Sequence, residues 1–211
     1  MDNRAYWDKR FRDEGYVWGT SPSKTAEYAL KIFRQNGVKK ILVPGSGYGR
    51  NTKLFSASGF DVTGIEISEV AGEMAKEYDQ QTKHYKGSVF DMPSDKNKYD
   101  AIYCFNVLHL FREKERKLFL QKCADKLGDS GLMFFVVFSD RDPSFGKGQE
   151  VEKNTFESRP GRPVHYFTKD DLQDLFREFK ILESGIFEDA EDHGEGPHTH
   201  ELFYILARKS S

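Results

Sequence analysis

Cysteine is scarce in this chain, which has 211 residues and only two cysteines, Cys104 and Cys123. Two cysteines cannot build a disulfide framework, and these two lack the paired spacing of a structural zinc site. Cys104 also lies in an apolar segment that predicts a buried strand. The scarcity of cysteine therefore favours a reducing compartment, and we expect a cytoplasmic protein.

Charge of one sign and long apolar runs are also missing. The 32 lysine and arginine residues are balanced by 34 aspartate and glutamate residues, which gives a formal net charge of −2. A protein that binds nucleic acid usually carries a basic surface, so no nucleic-acid partner is expected. No apolar run is long enough to span a membrane, and the N-terminal residues lack the apolar segment of a secretory signal, so no membrane partner is expected either.

Internal repeats, low-complexity tracts and flexible linkers are absent from the sequence, which predicts a single domain over residues 1–211. From Val38 to Ser139, short apolar segments alternate with amphipathic segments. This alternation is typical of parallel βαβ units with right-handed crossovers. The sequence predicts no oligomeric state.

The last two apolar runs, residues 180–187 and 200–209, are separated by an acidic, glycine-rich loop that leaves no room for a crossover helix. They should therefore pair antiparallel. Ser23, Ser68 and Thr168 are the predicted N-caps of three helices. Together the segments predict an α/β protein with a Rossmann-like, doubly wound sheet of seven strands. The sheet should be mostly parallel, with an antiparallel C-terminal hairpin strand and helices on both faces.

The sequence VPGSGYGRN places three glycines, Gly45, Gly47 and Gly49, directly after the first predicted strand. Glycine permits positive φ and lets a ligand approach without meeting a Cβ atom, so this loop is suited to presenting backbone N–H groups to a ligand. The second predicted strand ends at Glu66, where an acid is placed to accept hydrogen bonds from both hydroxyls of a ribose. The alternative is a tight turn followed by an exposed glutamate.

The glycine spacing disfavours a dinucleotide cofactor. The dinucleotide-binding loop follows the pattern G-x-G-x-x-G, and Gly49 comes one position too early for the third glycine. An NAD-dependent oxidoreductase therefore stays open only as the less favoured function.

The segments VPGSGYGRN and FDVTGIEIS resemble the class I S-adenosylmethionine-dependent methyltransferases. Val43 and Pro44 stand where many of these enzymes carry an acid, and in this the chain is similar to the thiopurine and tellurite-resistance type branch. The N-terminal segment YWDKRFRDEGYVWGTSPS also resembles that branch, through a pattern made by Trp7, Trp18, Gly19 and Pro22.

The resemblance implies S-adenosylmethionine as the cofactor and assigns its binding residues. Asp91 would contact the adenine amino group and Met92 the adenine ring. Residues 1–37 would form a flap and a helix, with the flap folded over the methionine end of the cofactor. The alternative is that its tryptophans only anchor this segment on the core. The predicted cofactor-binding residues are Trp18, Gly45, Ser46, Gly47, Gly49, Glu66, Ile67, Asp91, Met92, Phe105 and Asn106.

Methyl transfer from a sulfonium is an in-line displacement that depends on positioning and on the exclusion of water. A general base is required only when the acceptor must lose a proton, as a phenol or an alcohol must. His109 follows the fourth predicted strand, and Tyr166 belongs to an aromatic segment that the resemblance places near the acceptor. Both are predicted as catalytic residues, although packing at the end of the strand is an alternative explanation of His109.

Residues 140–164 show no clear apolar periodicity. A loop of this length without secondary structure is usually functional, so an irregular lid or substrate loop is predicted here. Its arginines and lysines would suit an anionic acceptor, although mixed charge on a mobile loop is the simpler interpretation.

Three histidines lie near the C-terminus, His193, His198 and His200. His198 and His200 would share one face of a strand and could bind a metal together with His193 or Glu201. No metal is predicted, because this spacing is common by chance in polar hairpins. The remaining alternative is that His198 and His200 line an acceptor pocket without a metal.

The predicted function is therefore S-adenosylmethionine-dependent methyl transfer to a small-molecule acceptor, by in-line displacement in a closed pocket. The acceptor would be a sulfur, selenium or tellurium centre or a small aromatic. A sensor that binds S-adenosylmethionine without turnover is the alternative from a different class.

Overall fold

The computed structural model describes residues 3–92, 98–159, 161–191 and 198–209. The chain divides into two compact units, Asp2–Tyr103 and Cys104–Ser211, and each is described by itself. The prediction of a single domain stays a prediction. No helix within the described ranges is long and apolar enough to cross a membrane.

The unit Asp2–Tyr103 begins with two helices and then alternates strands with helices. Its helices are α1 (Arg4–Glu14), α2 (Lys24–Gln35), α3 (Arg50–Ala57) and α4 (Glu69–Tyr78). Its strands are β1 (Lys40–Pro44), β2 (Asp61–Glu66) and β3 (Lys83–Lys86), and β4 (Tyr99–Phe105) begins in it. β1 pairs in parallel with β2 and β4, and β2 pairs in parallel with β3.

The unit Cys104–Ser211 contains a 3₁₀ turn at Leu108–Leu110 and two helices, α5 (Glu113–Lys126) and α6 (Lys169–Leu175). Its strands are β5 (Leu127–Phe138), β6 (Gln149–Glu152), β7 (Thr155–Arg159), β8 (Arg162–His165), β9 (Lys180–Glu191) and β10 (His198–Arg208). β10 pairs antiparallel with both β5 and β9. A separate antiparallel sheet has the order β6-β7-β8.

Seven strands form one sheet in the order β3-β2-β1-β4-β5-β10-β9. Residues 132–137 of β5 are completely or almost completely buried, as expected for an apolar strand inside a sheet that is covered on both faces. The predicted α/β fold, with a mostly parallel sheet of seven strands and an antiparallel C-terminal hairpin, is confirmed.

The predicted helix caps are confirmed as well. Ser23, Ser68 and Thr168 each accept a hydrogen bond through the side-chain oxygen from the backbone N–H three residues later, at 3.2, 3.1 and 3.0 Å. Each cap satisfies a backbone donor that the first turn of a helix leaves without a partner. Local sequence therefore fixes where α2, α4 and α6 begin.

The prediction that residues 140–164 are irregular is wrong. About half of this segment lies in the antiparallel strands β6, β7 and β8, with Asn154 at a φ of 57° in the turn between β6 and β7. Charged and polar side chains occupy most positions of β6 and β7, so the apolar alternation that signals a strand is missing. The role of this segment as a lid stays a prediction.

Candidate cofactor and acceptor sites

The loop between β1 and α3 has a left-handed backbone at its three glycines. Gly45, Gly47 and Gly49 have φ values of 66°, 55° and 94°. Residues with a side chain rarely adopt such values, so the turn from β1 into α3 depends on glycine. Gly49 occupies the N-cap position of α3.

The backbone donors of this loop bind the end of β2. The N–H groups of Gly45 and Ser46 donate to the Ile65 carbonyl at 2.8 and 3.0 Å. The N–H of Gly47 donates to Oε2 of Glu66 at 2.8 Å. The expectation that these N–H groups point at a ligand is therefore wrong, because β2 already accepts them. The place of the three residues in a cofactor site stays a prediction.

Glu66 fastens the glycine loop to the beginning of α4. Its Oε2 accepts from Gly47, and its Oε1 accepts from the N–H of Ser68, each at 2.8 Å. The side chain is buried, and burial raises the pKa of Glu66 even though these N–H groups favour the carboxylate. The alternative of an exposed glutamate after a tight turn is therefore excluded.

Two buried polar atoms beside this loop have no hydrogen-bond partner among the described residues, Oγ of Ser46 and Nδ1 of His84. Both lie near Gly64 in β2, where an added Cβ atom would be 2.7 Å from Oγ of Ser46 and 3.5 Å from Nδ1 of His84. Buried polar atoms are rarely left without partners. The Ser46 hydroxyl is thus suited to receive a polar group of a ligand.

The N-terminal segment packs on the glycine loop through aromatic rings. Phe11 and Tyr48 lie edge to face with ring centroids 5.9 Å apart, and Trp18 stacks on Tyr48 at 6.3 Å. Trp7 joins the same cluster, with its ring centroid 6.3 Å from that of Trp18. An added Cβ atom on Gly47 would be 3.8 Å from the Phe11 ring. The tryptophans therefore anchor this segment, and its role as a flap over the cofactor stays a prediction.

Hydrogen bonds hold the same segment in place. Oη of Tyr48 accepts from the Trp18 N–H at 3.1 Å and donates to the Gly19 carbonyl at 2.6 Å. Nη1 of Arg50 donates to the Trp18 carbonyl at 2.7 Å. Because Tyr48 lies between Gly47 and Gly49, the position of residues 18–19 is tied directly to the glycine loop.

A second attachment joins α1 to the beginning of α4. Oδ1 of Asp8 accepts from Oγ of Ser68 at 2.7 Å and from the Val70 N–H at 3.2 Å. Burial would raise the pKa of Asp8, but the hydrogen bonds from Ser68 and Val70 outweigh it and hold the pKa below its ordinary value. Asp8 and Glu66 therefore bind neighbouring donors at one helix N-terminus.

The remaining cofactor residues predicted in this unit lie near strand ends. Ile67 directly follows β2 and is half-buried. Asp91 is exposed and donates its N–H to the Ser88 carbonyl at 2.9 Å, and Met92 beside it is half-buried. Their contacts with adenine stay predictions.

In the second unit, the end of β4 leads into a polar turn. Phe105 is the last residue of β4, and Asn106 follows it with a positive φ of 55°. The N–H of Asn106 donates to the Val136 carbonyl at 3.0 Å, whereas its buried Oδ1 has no hydrogen-bond partner in the described part of the chain. Asn106 is thus held by its backbone, with its amide oxygen left for a ligand.

His109 lies in the 3₁₀ turn and stacks on Phe138, with ring centroids 4.4 Å apart and planes at 8°. It is 3% exposed, and its Nδ1 finds no hydrogen-bond partner within the described ranges. Burial, reinforced by the charge of Arg162, lowers the pKa of His109 to about 3. A ring with so low a pKa is neutral at neutral pH and accepts a proton only weakly. His109 is therefore better suited to contact a bound ligand than to act as the predicted base.

Phe138, the last residue of β5, carries two further aromatic neighbours. Tyr166 stacks on it at 5.9 Å with planes at 16°, and His200 stacks on it at 4.8 Å with planes at 26°. The structure therefore brings the predicted residues His109 and Tyr166 together around one phenylalanine ring, with His200 of β10 as a third member.

A chain of hydrogen bonds connects His200 to Tyr166. Nδ1 of His200 lies 2.8 Å from Oδ2 of Asp142, and Oδ1 of Asp142 accepts from the Ser144 N–H at 2.8 Å and also from its hydroxyl. Oη of Tyr166 in turn donates to Oγ of Ser144 at 2.8 Å. Burial would raise the pKa of Asp142, but the hydrogen bonds from His200 and Ser144 outweigh it and lower the pKa.

The C-terminal histidines are the residues that the sequence offers as an alternative metal site. His198 and His200 do lie close together in β10, with ring centroids 4.8 Å apart, while His193 lies outside the described residues. Within the described ranges, no group of three or more histidine, cysteine, aspartate or glutamate side chains is arranged to hold a metal ion. The partner of His200 is instead the carboxylate of Asp142.

Sequence comparison decides the family. A profile of the methyltransferase domain matches residues 17–180. The chain belongs to this methyltransferase family. The predicted family is therefore confirmed, and structures of this fold have been solved with S-adenosylmethionine or S-adenosylhomocysteine bound.

Individual relatives of this methyltransferase are distant. The glycine/sarcosine N-methyltransferase of Aphanothece halophytica is 25% identical over 138 residues, which are 57% of this chain and 48% of that protein. The chain spans about half the length of the curated relatives it matches, 56% and 48%.

Two solved structures show the same fold. A 1,6-didemethyltoxoflavin N1-methyltransferase of Burkholderia thailandensis, with its substrate and S-adenosylhomocysteine bound, is 19% identical and has a TM-score of 0.72. The match covers 99% of this chain and 87% of that one. TehB of Haemophilus influenzae is 18% identical with a TM-score of 0.69, and the match covers 97% of this chain and 67% of that one.

The residues of this methyltransferase fit the cofactor that its family uses. The loop after β1 offers a surface without Cβ atoms at its glycines, and Ser46 supplies a buried hydroxyl without a partner among the described residues. Glu66 at the end of β2 supplies a carboxylate at the position expected for a ribose. No positive charge lies in this set to repel the sulfonium.

The residues of the two sites that were not predicted from the sequence include Asp8, Tyr48, His84, Phe138, Asp142 and Ser144. Tyr48 stands inside the glycine motif, so its position was a usable signal. Asp142 and His200 are 58 residues apart, and only the fold brings them together.

Proposed function

We propose that this methyltransferase transfers the methyl group of S-adenosylmethionine to a small-molecule acceptor, by in-line displacement in a closed pocket. The observation that carries the proposal is the buried Ser46 hydroxyl, which lacks a partner among the described residues and stands in a loop of left-handed glycines. A buried polar atom without a partner costs free energy, which a hydrogen bond to a bound cofactor would offset.

The neighbouring residues would hold the cofactor by its ribose and adenine. The carboxylate of Glu66 accepts the N–H groups of Gly47 and Ser68 and is also bound by the N–H of Ile67, and its two oxygens still leave an acceptor position for a ribose hydroxyl. Asp91 and Met92 would bind the adenine. When bound, the cofactor supplies an electrophilic methyl group on a sulfonium. The part of the protein is to orient that group and to exclude water, the latter through the flap that carries Trp18.

The acceptor that these residues support best is a small molecule with an aromatic ring. The rings of His109, Tyr166 and His200 all stack on Phe138, and such a cluster suits a flat ligand. The formal net charge of −2 offers no support for a nucleic-acid substrate. An inorganic selenium or tellurium oxyanion would make no use of this aromatic cluster.

Calorimetric titration of the protein with S-adenosylmethionine, S-adenosylhomocysteine and NADH tests the cofactor. Binding of the first two and none of the third is expected. Binding of NADH alone would overturn the proposal in favour of an oxidoreductase. Release of S-adenosylhomocysteine in the presence of aromatic acceptors separates an enzyme from a sensor, because a sensor binds the cofactor without turnover.

Replacement Tyr48→Phe tests the flap. The variant keeps the ring in the aromatic cluster but loses the hydroxyl that binds Trp18 and Gly19. We expect the free energy of unfolding to fall by about 1–2 kcal/mol and the dissociation rate of S-adenosylhomocysteine to rise several-fold. Stopped-flow measurement of dissociation gives the rate. Tyr85→Phe, at an exposed tyrosine of β3, is the matched control, and equal rates in the two variants would contradict the role of the flap.

A further inference from the structure

Asp142 and His200 form a buried carboxylate–imidazole pair. The Asp142 side chain is completely buried and that of His200 is 17% exposed, with 2.8 Å between Oδ2 and Nδ1. Oδ2 also accepts from the Glu201 N–H at 3.1 Å, and Oδ1 accepts from Ser144. A carboxylate with this many donors is ionised and fixed in position, as its lowered pKa also indicates.

The pair determines what the imidazole can do. An ionised carboxylate only accepts hydrogen bonds, so Nδ1 of His200 must carry the proton. Nε2 is then the basic nitrogen of the ring, and the Asp142 carboxylate stabilises the imidazolium that forms when Nε2 takes a proton. This is the arrangement that makes a histidine an effective general base.

The surroundings of the pair suit a flat, polar ligand. His200 and His109 both stack on Phe138, so an aromatic surface lies beside the base. Nδ1 of His109 and Oδ1 of Asn106 are buried and lack hydrogen-bond partners among the residues described. Because His109 is neutral, its Nδ1 can bind a polar substituent on the ring of a ligand. His200 is then the histidine that is suited to act as a base.

We propose that His200 is the catalytic base of this enzyme, positioned by Asp142, and that the acceptor is an aromatic compound methylated on a hydroxyl group. The proposal rests on the proposed function and adds the class of acceptor. Nε2 of His200 takes the hydroxyl proton while the hydroxyl oxygen attacks the methyl carbon. The O–CH₃ bond forms, the S–CH₃ bond breaks, and its electron pair stays on sulfur. The positive charge of the sulfonium is replaced by that of the imidazolium.

The charged groups around His200 are mixed in sign. Asp142 binds its ring, Asp189 is its cross-strand partner in β9, and Glu201 follows it in β10. Arg141 binds Glu201 at 3.0 Å. The His198 ring packs edge to face against His200, and the neutral His109 ring shares Phe138 with it. Arg162 and His165 are further basic groups, and their charge acts on His109. The Asp142 carboxylate, which contacts the ring directly, is the charge that favours the imidazolium after proton transfer.

The test compares two probes with the same ring, 4-nitrophenol and 4-nitrobenzenethiol. The assay is run at a mildly acidic pH, where the thiol is already ionised in water and needs no base, whereas the phenol is still protonated and must lose its proton in the site. In His200→Gln, we expect methylation of the phenol to fall by about 100-fold or more, as is typical for loss of a general base, and that of the thiol to change little.

A spectroscopic readout is independent of turnover. With S-adenosylhomocysteine bound, and at a pH where free 4-nitrophenol is protonated, the wild-type protein should bind the probe as the yellow phenolate. His200→Gln should bind it as the colourless phenol. Asp142→Asn should weaken the phenolate band, and Tyr85→Phe, at an exposed tyrosine of β3, should retain it.

The possible outcomes separate the two proposals. Failure of the wild-type protein to bind S-adenosylhomocysteine would refute the proposed function itself. Intact cofactor binding without a phenolate band in the wild-type protein would refute the base, whatever the turnover. Equal losses on the phenol and the thiol in His200→Gln would show a residue that only shapes the pocket, and would likewise overturn the proposal.

Discussion

Replacement of Gly64 by alanine should weaken binding of S-adenosylhomocysteine by about tenfold to a hundredfold. An added Cβ atom would lie 2.7 Å from Oγ and 2.9 Å from Cβ of Ser46, closer than real Cβ contacts allow. Gly64 lies in β2, which pairs with β1 on one side and β3 on the other, so the strand cannot move away. The glycine loop must give way instead. Overpacking of this kind costs about 1–3 kcal/mol, and each 1.4 kcal/mol is tenfold in affinity.

The measurement is calorimetric titration with S-adenosylhomocysteine, together with thermal unfolding of the unliganded protein to confirm that the variant is folded. Gly72→Ala is the matched control. Gly72 lies within α4, an added Cβ atom there would meet nothing within 4 Å, and alanine should stabilise the helix by up to about 1 kcal/mol. An unchanged affinity in Gly64→Ala would show that the cofactor does not depend on the position of Ser46.

The sheet and the glycine loop could be predicted because their signals are local. β1, β2 and β5 are apolar runs that end at glycine or at polar residues, and serine or threonine caps mark the beginnings of α2, α4 and α6. Such signals depend on periodicity and on turn chemistry, which a single sequence contains.

The elements that were missed have weak local signals. α1 contains Trp7 and Phe11 among charged residues, so it has little amphipathic pattern, and it is held by contacts of its aromatic rings with Tyr48 and Trp18. β6 and β7 are similarly rich in charged residues. Their structure depends on partners elsewhere in the chain, and the sequence alone does not show those partners.

The candidate sites, like the fold, could be predicted only in part from the sequence. The position of Glu66 at the end of β2 could be predicted from spacing, but its hydrogen bonds to Gly47 and Ser68 could not, because they depend on how two separate turns approach each other. The pair of Asp142 and His200 joins residues 58 apart, from the turn after β5 and from β10. For this reason a single sequence offers His109, which follows a predicted strand, as a candidate base but does not reveal the pair of Asp142 and His200.

Replacement Glu66→Gln should raise the dissociation constant of S-adenosylhomocysteine by about 30-fold, which corresponds to about 2 kcal/mol for lost charge-assisted hydrogen bonds. Glutamine keeps one acceptor oxygen, but its NH₂ group takes the place of the other oxygen. That NH₂ group is a donor, and it would face another donor, the backbone N–H of Gly47 or Ser68. The loop is therefore loosened and one ribose acceptor is lost. Glu69→Gln is the control. Glu69 is the first residue of α4, three positions after Glu66, and its side chain is exposed.

The two effects of Glu66 can be separated with the 2′-deoxyribose analogue of S-adenosylhomocysteine. If Glu66 binds the 2′-hydroxyl, the wild-type protein should bind the analogue more weakly than S-adenosylhomocysteine. Glu66→Gln should bind the two ligands with more similar affinity. The difference between the two losses of binding free energy is the coupling energy between Glu66 and the 2′-hydroxyl. If Glu66 only fastens the loop, both proteins should lose affinity for the analogue equally while the variant unfolds at a lower temperature. That second result would show that Glu66 does not bind the ribose, and that its carboxylate serves to connect Gly47 to the beginning of α4.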